Sequence, residues 1–415
     1  MESLSFLPSL PLKLSYPLLF GVLLVVGMLG GELARSLKLP RILGYVVVGF
    51  MIAPLAQALG LDPLLDHARV FVDMALGLVL FDLGRRMNVL WMKRDWTLAA
   101  AAFAESMLAF GAVFAALVAF DFPPVKAGLV AAIAIATSPA VVLLIVQDTR
   151  SEGQVTERAL NLVAFNSLLA SILSTILLAS AHLQARWDVE SAILHPLYLF
   201  AGSLLLGAAM AAFARVVART VDKTKDLHFT LIAGMVIGAV GIATLLKLSV
   251  ILALLAFGLF SRNGVRHHDL LNVNLAPASR LLYIVLFVIT GAALPLPTLA
   301  YAGGAALAIV LARAAGKLAG VMLMAPLGGL SLRQSLGLGC ALMPMSTLAL
   351  VLQNDVARHY PGFGQELTVV FLAAVLIMEI VGPIATQWGL RLAGDTEPEA
   401  AAIGTSTSTR MRPIS

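Results

Sequence analysis

The chain is built from a succession of apolar runs long enough to cross a lipid bilayer, and this removes nearly every water-soluble fold from consideration. The runs fall near residues 16–35, 41–58, 69–86, 96–119, 126–147, 158–181, 193–214, 227–245, 248–262, 277–294, 299–325, 332–353 and 366–393. About 30 Å of hydrocarbon takes roughly 20 helical residues to span. Inside lipid the backbone must satisfy its own hydrogen bonds, which a helix does within one segment. Only 12% of the residues are charged, about half of the roughly 25% usual in soluble domains. The mean hydropathy of +0.94 leaves most surfaces facing lipid or one another. The expected fold class is an all-α polytopic membrane protein of about thirteen transmembrane helices.

Charge placement gives an orientation. Lys and Arg gather in alternate loops, among them Arg35, Lys38 and Arg41, then Arg85, Arg86, Lys93 and Arg94, then Arg215, Arg219, Lys223 and Lys225. The intervening loops hold mostly one each, such as Arg69, Lys126, Arg186, Lys247 and Arg358. Cytoplasmic loops are the basic ones, so the N-terminus is expected outside and the C-terminus inside. The net charge of +5 therefore reports membrane orientation, and no nucleic-acid partner is expected. No cleaved leader is read at the N-terminus. Residues 394–415 are expected to form a disordered cytoplasmic tail. The single cysteine, Cys340, rules out a disulfide framework within one chain.

Two runs carry polar, helix-breaking centres. The fifth reads Ala136-Thr137-Ser138-Pro139-Ala140 and the twelfth Leu342-Met343-Pro344-Met345-Ser346-Thr347. Proline removes a backbone donor and frees the carbonyl four residues back. Such backbone survives at membrane depth only where it is buried or lines a cavity. The breaks stand seven spans apart, as two five-helix units separated by two helices would place them. Paired interruptions of this kind point to a midplane binding site between inverted repeats. Ordinary proline kinks are the plainer alternative for either break taken alone.

Leu39-Pro40-Arg41-Ile42-Leu43-Gly44-Tyr45, continuing through Gly49 to Pro54, resembles the opening segment of the monovalent cation:proton antiporter superfamily, its Kef-type potassium efflux branch in particular. Leu248-Ser249 running to Phe257-Gly258, Leu286-Phe287 to Gly291, and Gly316-Lys317-Leu318-Ala319-Gly320 are similar to three further segments of that family, in the same order. The resemblance covers about residues 16–393. It implies a scaffold or dimerisation bundle, and a core bundle in which crossed, broken helices hold the ion and move as an elevator. It also implies a homodimer in a bacterial inner membrane. The transporter domain would be residues 1–393, with a first repeat at about 41–181, a linker helix at about 193–214 and a second repeat at about 227–393.

The chain departs from that family at the ion site. Where the sixth helix usually carries Asp-Asp, Asn-Asp or Gln-Asp, this sequence has Asn166-Ser167. A serine hydroxyl can be a neutral ligand but does not titrate near neutral pH. Either another group carries the proton, or the chain no longer exchanges protons in the usual manner. Intramembrane charges are the candidates. Lys317 is expected deep in the eleventh span, as a proton carrier or as a structural cation. Glu379 is expected as a salt-bridge partner for Lys317 or Arg313. Arg313 is read as a counter-ion or as a group snorkelling to the interface. Asp82 is read chiefly as the local partner of Arg85 and Arg86, three and four residues on. Asp73 and Glu105 have no motif support, and a structural or interfacial role is expected for them. Ser171, Ser174 and Thr175 are expected as helix glue, and His267 and His268 as a solvated loop pair.

The leading expectation is a secondary transporter exchanging Na⁺ or K⁺ for protons by alternating access. Thr137, Ser138, Asn166, Ser167, Met345 and Ser346 would line the site, with Lys317, Glu379, Arg313 and Asp82 balancing its charge. No cofactor, metal site or enzymatic chemistry is expected. The rivals are an anion or organic-solute transporter or a uniporter on the same fold, favoured if Lys317 leaves the site net positive, and a non-transporting sensor.

Overall fold

The computed structural model describes residues 16–58, 62–87, 95–186, 189–220, 225–263, 276–293, 298–345, 347–359 and 365–396. Among them every regular element is an α-helix. The chain runs α1 (Tyr16–Ser36), α2 (Arg41–Ala58), α3 (Asp62–Arg86), α4 (Trp96–Ala119), α5 (Pro124–Ala134), α6 (Pro139–Asp148), α7 (Gln154–Arg186) and α8 (Val189–Thr220). It continues through α9 (Lys225–Leu245), α10 (Val250–Asn263), α11 (Ala276–Ala293), α12 (Thr298–Met324), α13 (Leu332–Ala341), α14 (Thr347–His359) and α15 (Gln365–Ala393). Among the described residues, eight helical stretches are long and apolar enough to cross a membrane. Between α9 and α10 the chain turns at Lys247, which takes a left-handed φ of 52°, so the division of these two runs follows the sequence reading.

The expected breaks are present in both interrupted runs. Helix α5 stops at Ala134 and α6 starts at Pro139; α13 stops at Ala341 and α14 starts at Thr347. Each helix after a break begins where the chain can start afresh. Pro139 sits at the first position of α6, where the missing N–H costs nothing. The combined stretch Pro124–Asp148 is the most apolar of the candidate spans and is wholly buried. Pro17–Ser36 and Pro196–Ala218 are mostly open to the surroundings, as lipid-facing helices should be. Apolarity alone therefore does not tell core from periphery here.

Packing places α12 along α4, α13 along α15, α11 along α2, and α10 between α3 and α8. Close approach explains one of the motif glycines. A Cβ on Gly49 of α2 would stand 2.2 Å from the Val288 carbonyl oxygen of α11, so only glycine lets these two backbones touch. Arg41, from the same motif, ties three elements at one end of the bundle. Its guanidinium lies 2.8 Å from Glu32 of α1 and 3.0 Å from Asp148 at the end of α6.

The first residues of the expected tail are described. Gly394 and Asp395 fold back on the start of α7, where the Asp395 carboxylate accepts from the Thr156 N–H at 2.7 Å and its hydroxyl at 2.9 Å. A carboxylate on the N–H groups of a helix's first turn is favoured by both hydrogen bonding and the helix dipole. Residues 397–415 of the expected tail lie outside the described residues, as do His267 and His268.

Candidate functional site

The two breaks meet. Thr137 donates its hydroxyl to the Leu342 carbonyl at 3.1 Å, and the Ser138 N–H donates to the Pro344 carbonyl at 2.9 Å. Each interruption thus satisfies part of the other's freed backbone. The ends of α5 and α13 still leave carbonyls without helical partners, and these converge on one side chain. Arg313 of α12 donates through Nε to the Ala134 carbonyl at 2.7 Å, through Nη2 to Ala136 at 2.8 Å, and through Nη1 to Met343 at 2.6 Å. Weaker contacts of Nη2 at 3.4 Å reach Leu342 and Pro344. Arg313 is fully buried.

This corrects one expectation. Arg313 is neither a snorkelling group nor chiefly the counter-ion of an acid; its fork of donors caps two helix C-termini at once. Guanidinium suits the task because its N–H groups are fixed in a plane, and the partial negative charge at helix C-termini offsets its own.

One helical turn on, Lys317 donates to Glu105 Oε2 at 2.8 Å, and both side chains are completely buried. Glu379 was expected opposite Lys317 or Arg313; for Lys317 this is corrected, because its acid comes from α4. Two glycines make the pairing possible. A Cβ on Gly316 would stand 2.6 Å from the Ala109 Cα, and one on Gly320 2.2 Å from the Glu105 Cα. The pair flanks Lys317 and lets the backbones of α12 and α4 touch, which brings the ammonium to the carboxylate. Glu105 and Lys317 each stand on the helix that precedes an interrupted segment.

A neutral chain links this pair to the breaks. Ser106, next to Glu105, donates to Asn166 Oδ1 at 3.0 Å, and Asn166 Nδ2 donates to the Thr137 hydroxyl at 3.2 Å. Asn166 therefore bridges α4 and the first break. Ser167 is buried at the same level, but its hydroxyl donates to the Val163 carbonyl of its own helix at 2.8 Å. Met345 is buried beside the second break; Ser346 lies outside the described residues. Glu379 is buried on α15, next to Met378, whose sulfur lies 3.9 Å from Arg313 Nη1. Ser174 and Thr175 donate to the Ser171 carbonyl within α7, so two of the three hydroxyls expected as glue between helices bond within their own helix.

Asp82 stays apart from this cluster. It accepts from Arg85 at 2.7 Å and Arg86 at 3.1 Å, the local pairing that the spacing suggested. Thr137, Ser138, Asn166, Ser167, Arg313, Lys317 and Met345 are brought together; Asp82 is not. Sequence reasoning gave Glu105 only a structural or interfacial role and did not single out Ser106. The signal for Glu105 was present, an acid ten residues into an apolar helix, but nothing in the sequence said that α4 faces α12.

A cavity of about 700 Å³ opens where α6 ends and α7 begins, lined by Arg86, Gln147, Arg150, Glu152, Leu160 and Asp395 among others. From Leu160 to Asn166 is six residues, about 9 Å along the helix. Among the described residues no group of His, Cys, Asp and Glu is disposed to hold a metal ion.

Comparison with known proteins bears on the whole arrangement. A structure of the sodium proton antiporter MjNhaP1 from Methanocaldococcus jannaschii at pH 8 is similar at 19% identity, with a TM-score of 0.68, over 94% of this chain and 97% of that one. An electron-microscopy structure of MjNhaP1 gives a TM-score of 0.63 at 16% identity, over 95% of this chain and 98% of that one. No curated protein sequence matches. The family model for the transmembrane sodium/hydrogen exchanger matches residues 21–392. That stretch includes both breaks, Arg313 and the Lys317 pair with Glu105, and the chain belongs to the sodium/hydrogen exchanger family.

Proposed function

We propose that this protein is a secondary transporter that exchanges a monovalent cation, Na⁺ or K⁺, for protons by alternating access. The observation that carries the reading is the meeting of two interrupted helices around buried ionisable groups, with neutral oxygens of Thr137 and Asn166 alongside. Charged groups at membrane depth are retained where ions or protons pass, and broken helices offer the backbone dipoles that hold them. Membership of the exchanger family and a fold similar to a sodium proton antiporter support the same conclusion.

The ground on which an anion would be preferred is removed. The anion reading required Lys317 to stand without a facing carboxylate, and Glu105 supplies one at 2.8 Å. The cavity near Leu160 offers an approach to the breaks from one side. Thirteen spans, inverted repeats, elevator motion, a homodimer and a bacterial inner membrane with the C-terminus inside complete the proposal. The test is purified protein in vesicles loaded with a pH-sensitive dye. Addition of Na⁺, K⁺ or Li⁺ across weakly acidic to weakly alkaline pH should move protons; dye that stays silent for all three ions would end the antiport reading.

A further inference from the structure

We infer that Glu105 of α4 is the proton- and cation-binding carboxylate of the transport site, in place of the aspartate that the sixth span lacks. The inference rests on the antiport reading and names the group that reading leaves open. Serine at position 167 supplies no exchangeable proton, and its hydroxyl is engaged with the Val163 carbonyl. Glu105 is a fully buried carboxylate, and the next residue in the chain, Ser106, donates to Asn166.

The two oxygens of Glu105 are not equivalent. Oε2 accepts from Lys317, whereas Oε1 is buried without a hydrogen-bond partner among the described residues. An oxygen of an anion left bare in this way is costly unless something else binds it. A proton or a desolvated monovalent cation meets the need, and the two exclude each other at one oxygen. Ser171 Oγ, one turn beyond Ser167 on α7, is among the other buried oxygens that have no hydrogen-bond partner among the described residues. Hard oxygen donors of this type suit Na⁺ or K⁺.

Among the described residues, the charges seen to face Glu105 are on α12: Lys317 in contact and Arg313 one turn away. The charged groups of the other elements packed on α4 stand at helix ends. Lys126 lies in the first turn of α5, and Glu157 and Arg158 in the first turn of α7. Arg158 is paired with Asp95, 3.0 Å away. Asp95 precedes Glu105 by ten residues, about 15 Å of helix. With Lys317 holding Oε2 throughout, one proton leaves Oε1 as one cation arrives. The loaded and protonated forms then carry the same charge, so the exchange is one for one and electrically silent at this group.

The experiment measures proton release from purified full-length protein in weakly buffered detergent on adding Na⁺ or K⁺. Wild type should release protons. The cation concentration needed for half release should rise about tenfold per unit of acidification once the carboxyl is mostly protonated. E105Q should release none. Because E105Q strands a buried ammonium, E105Q/K317Q, which removes both charges, is measured beside it and should also be silent. E105D should release protons with a shifted cation requirement. Undiminished release from either glutamine variant would overturn the assignment, as would wild type that binds cations without releasing protons. Wild type that releases protons in detergent, with E105Q silent, but moves none across vesicles would sustain Glu105 as the site while ending the antiport reading.

Discussion

Replacing Arg313 with lysine keeps the charge and removes the fork, which isolates what the guanidinium geometry contributes. Three of its bonds are short, to Ala134, Met343 and Ala136. A lysine ammonium on a straight stem can hold one of these carbonyls well and leaves the others bare. Hydrogen bonds from a charged donor contribute about 1.5–3 kcal/mol each, so losing two costs about 3–6 kcal/mol before relaxation. Water entering the crossing would recover part of this, leaving about 2–5 kcal/mol. For 415 residues, an unfolding entropy of roughly 2 cal/mol/K per residue turns that into a fall in Tm of about 2–6 °C. Tryptophan-fluorescence melting of the detergent-purified R313K variant reads the shift. A variant that melts with wild type would mean that the two breaks hold together without this side chain, and the account of their closure would be wrong.

Other substitutions separate packing from ion chemistry. Gly320→Ala drives a Cβ against the Glu105 backbone and should cost about 1–3 kcal/mol, together with exchange activity. Gly111→Ala on α4, with open space around it, should be neutral or stabilising by up to about 1 kcal/mol; the same melting assay compares the two. Asp82→Asn should lower stability by about 1 kcal/mol through loss of its local arginine pairs and leave vesicle exchange unchanged; abolished exchange would place Asp82 in the transport path. Ser167→Asp introduces a carboxylate beside Asn166 and should alter cation-dependent proton movement, whereas a profile identical to wild type would remove this level of α7 from the ion site.

Much of the architecture could be read from residue order because it rests on local rules. Length and apolarity located the helices, and Pro139, Pro344 and their Ser and Thr neighbours located the breaks. The helix ends moved by a few residues: α7 runs on to Arg186 and α14 to His359. Side-chain partners were less legible. Lys317 was singled out as a buried group, whereas Arg313 was read as a counter-ion or as a group snorkelling to the interface. Whether an arginine points to the interface or inward depends on what lies beside its helix, and Lys317 meets an acid 212 positions away. The glycines at 316 and 320 were visible as a motif, but their meaning depended on the backbone of α4. Glu379 drew attention as an acid on the last long helix; choosing between it and Glu105 required the neighbours of α12.

The closure of the first break by Arg313 also constrains how the molecule is made. The carbonyls of Ala134 and Ala136 emerge from the ribosome nearly 180 residues before the side chain that satisfies them. Through more than a third of synthesis the first interrupted segment waits in the membrane with exposed acceptors, held by water, by a chaperone or by the insertion machinery. A ribosome stalled before residue 313 should present this segment to modifying reagents, and one stalled after α15 should hide it.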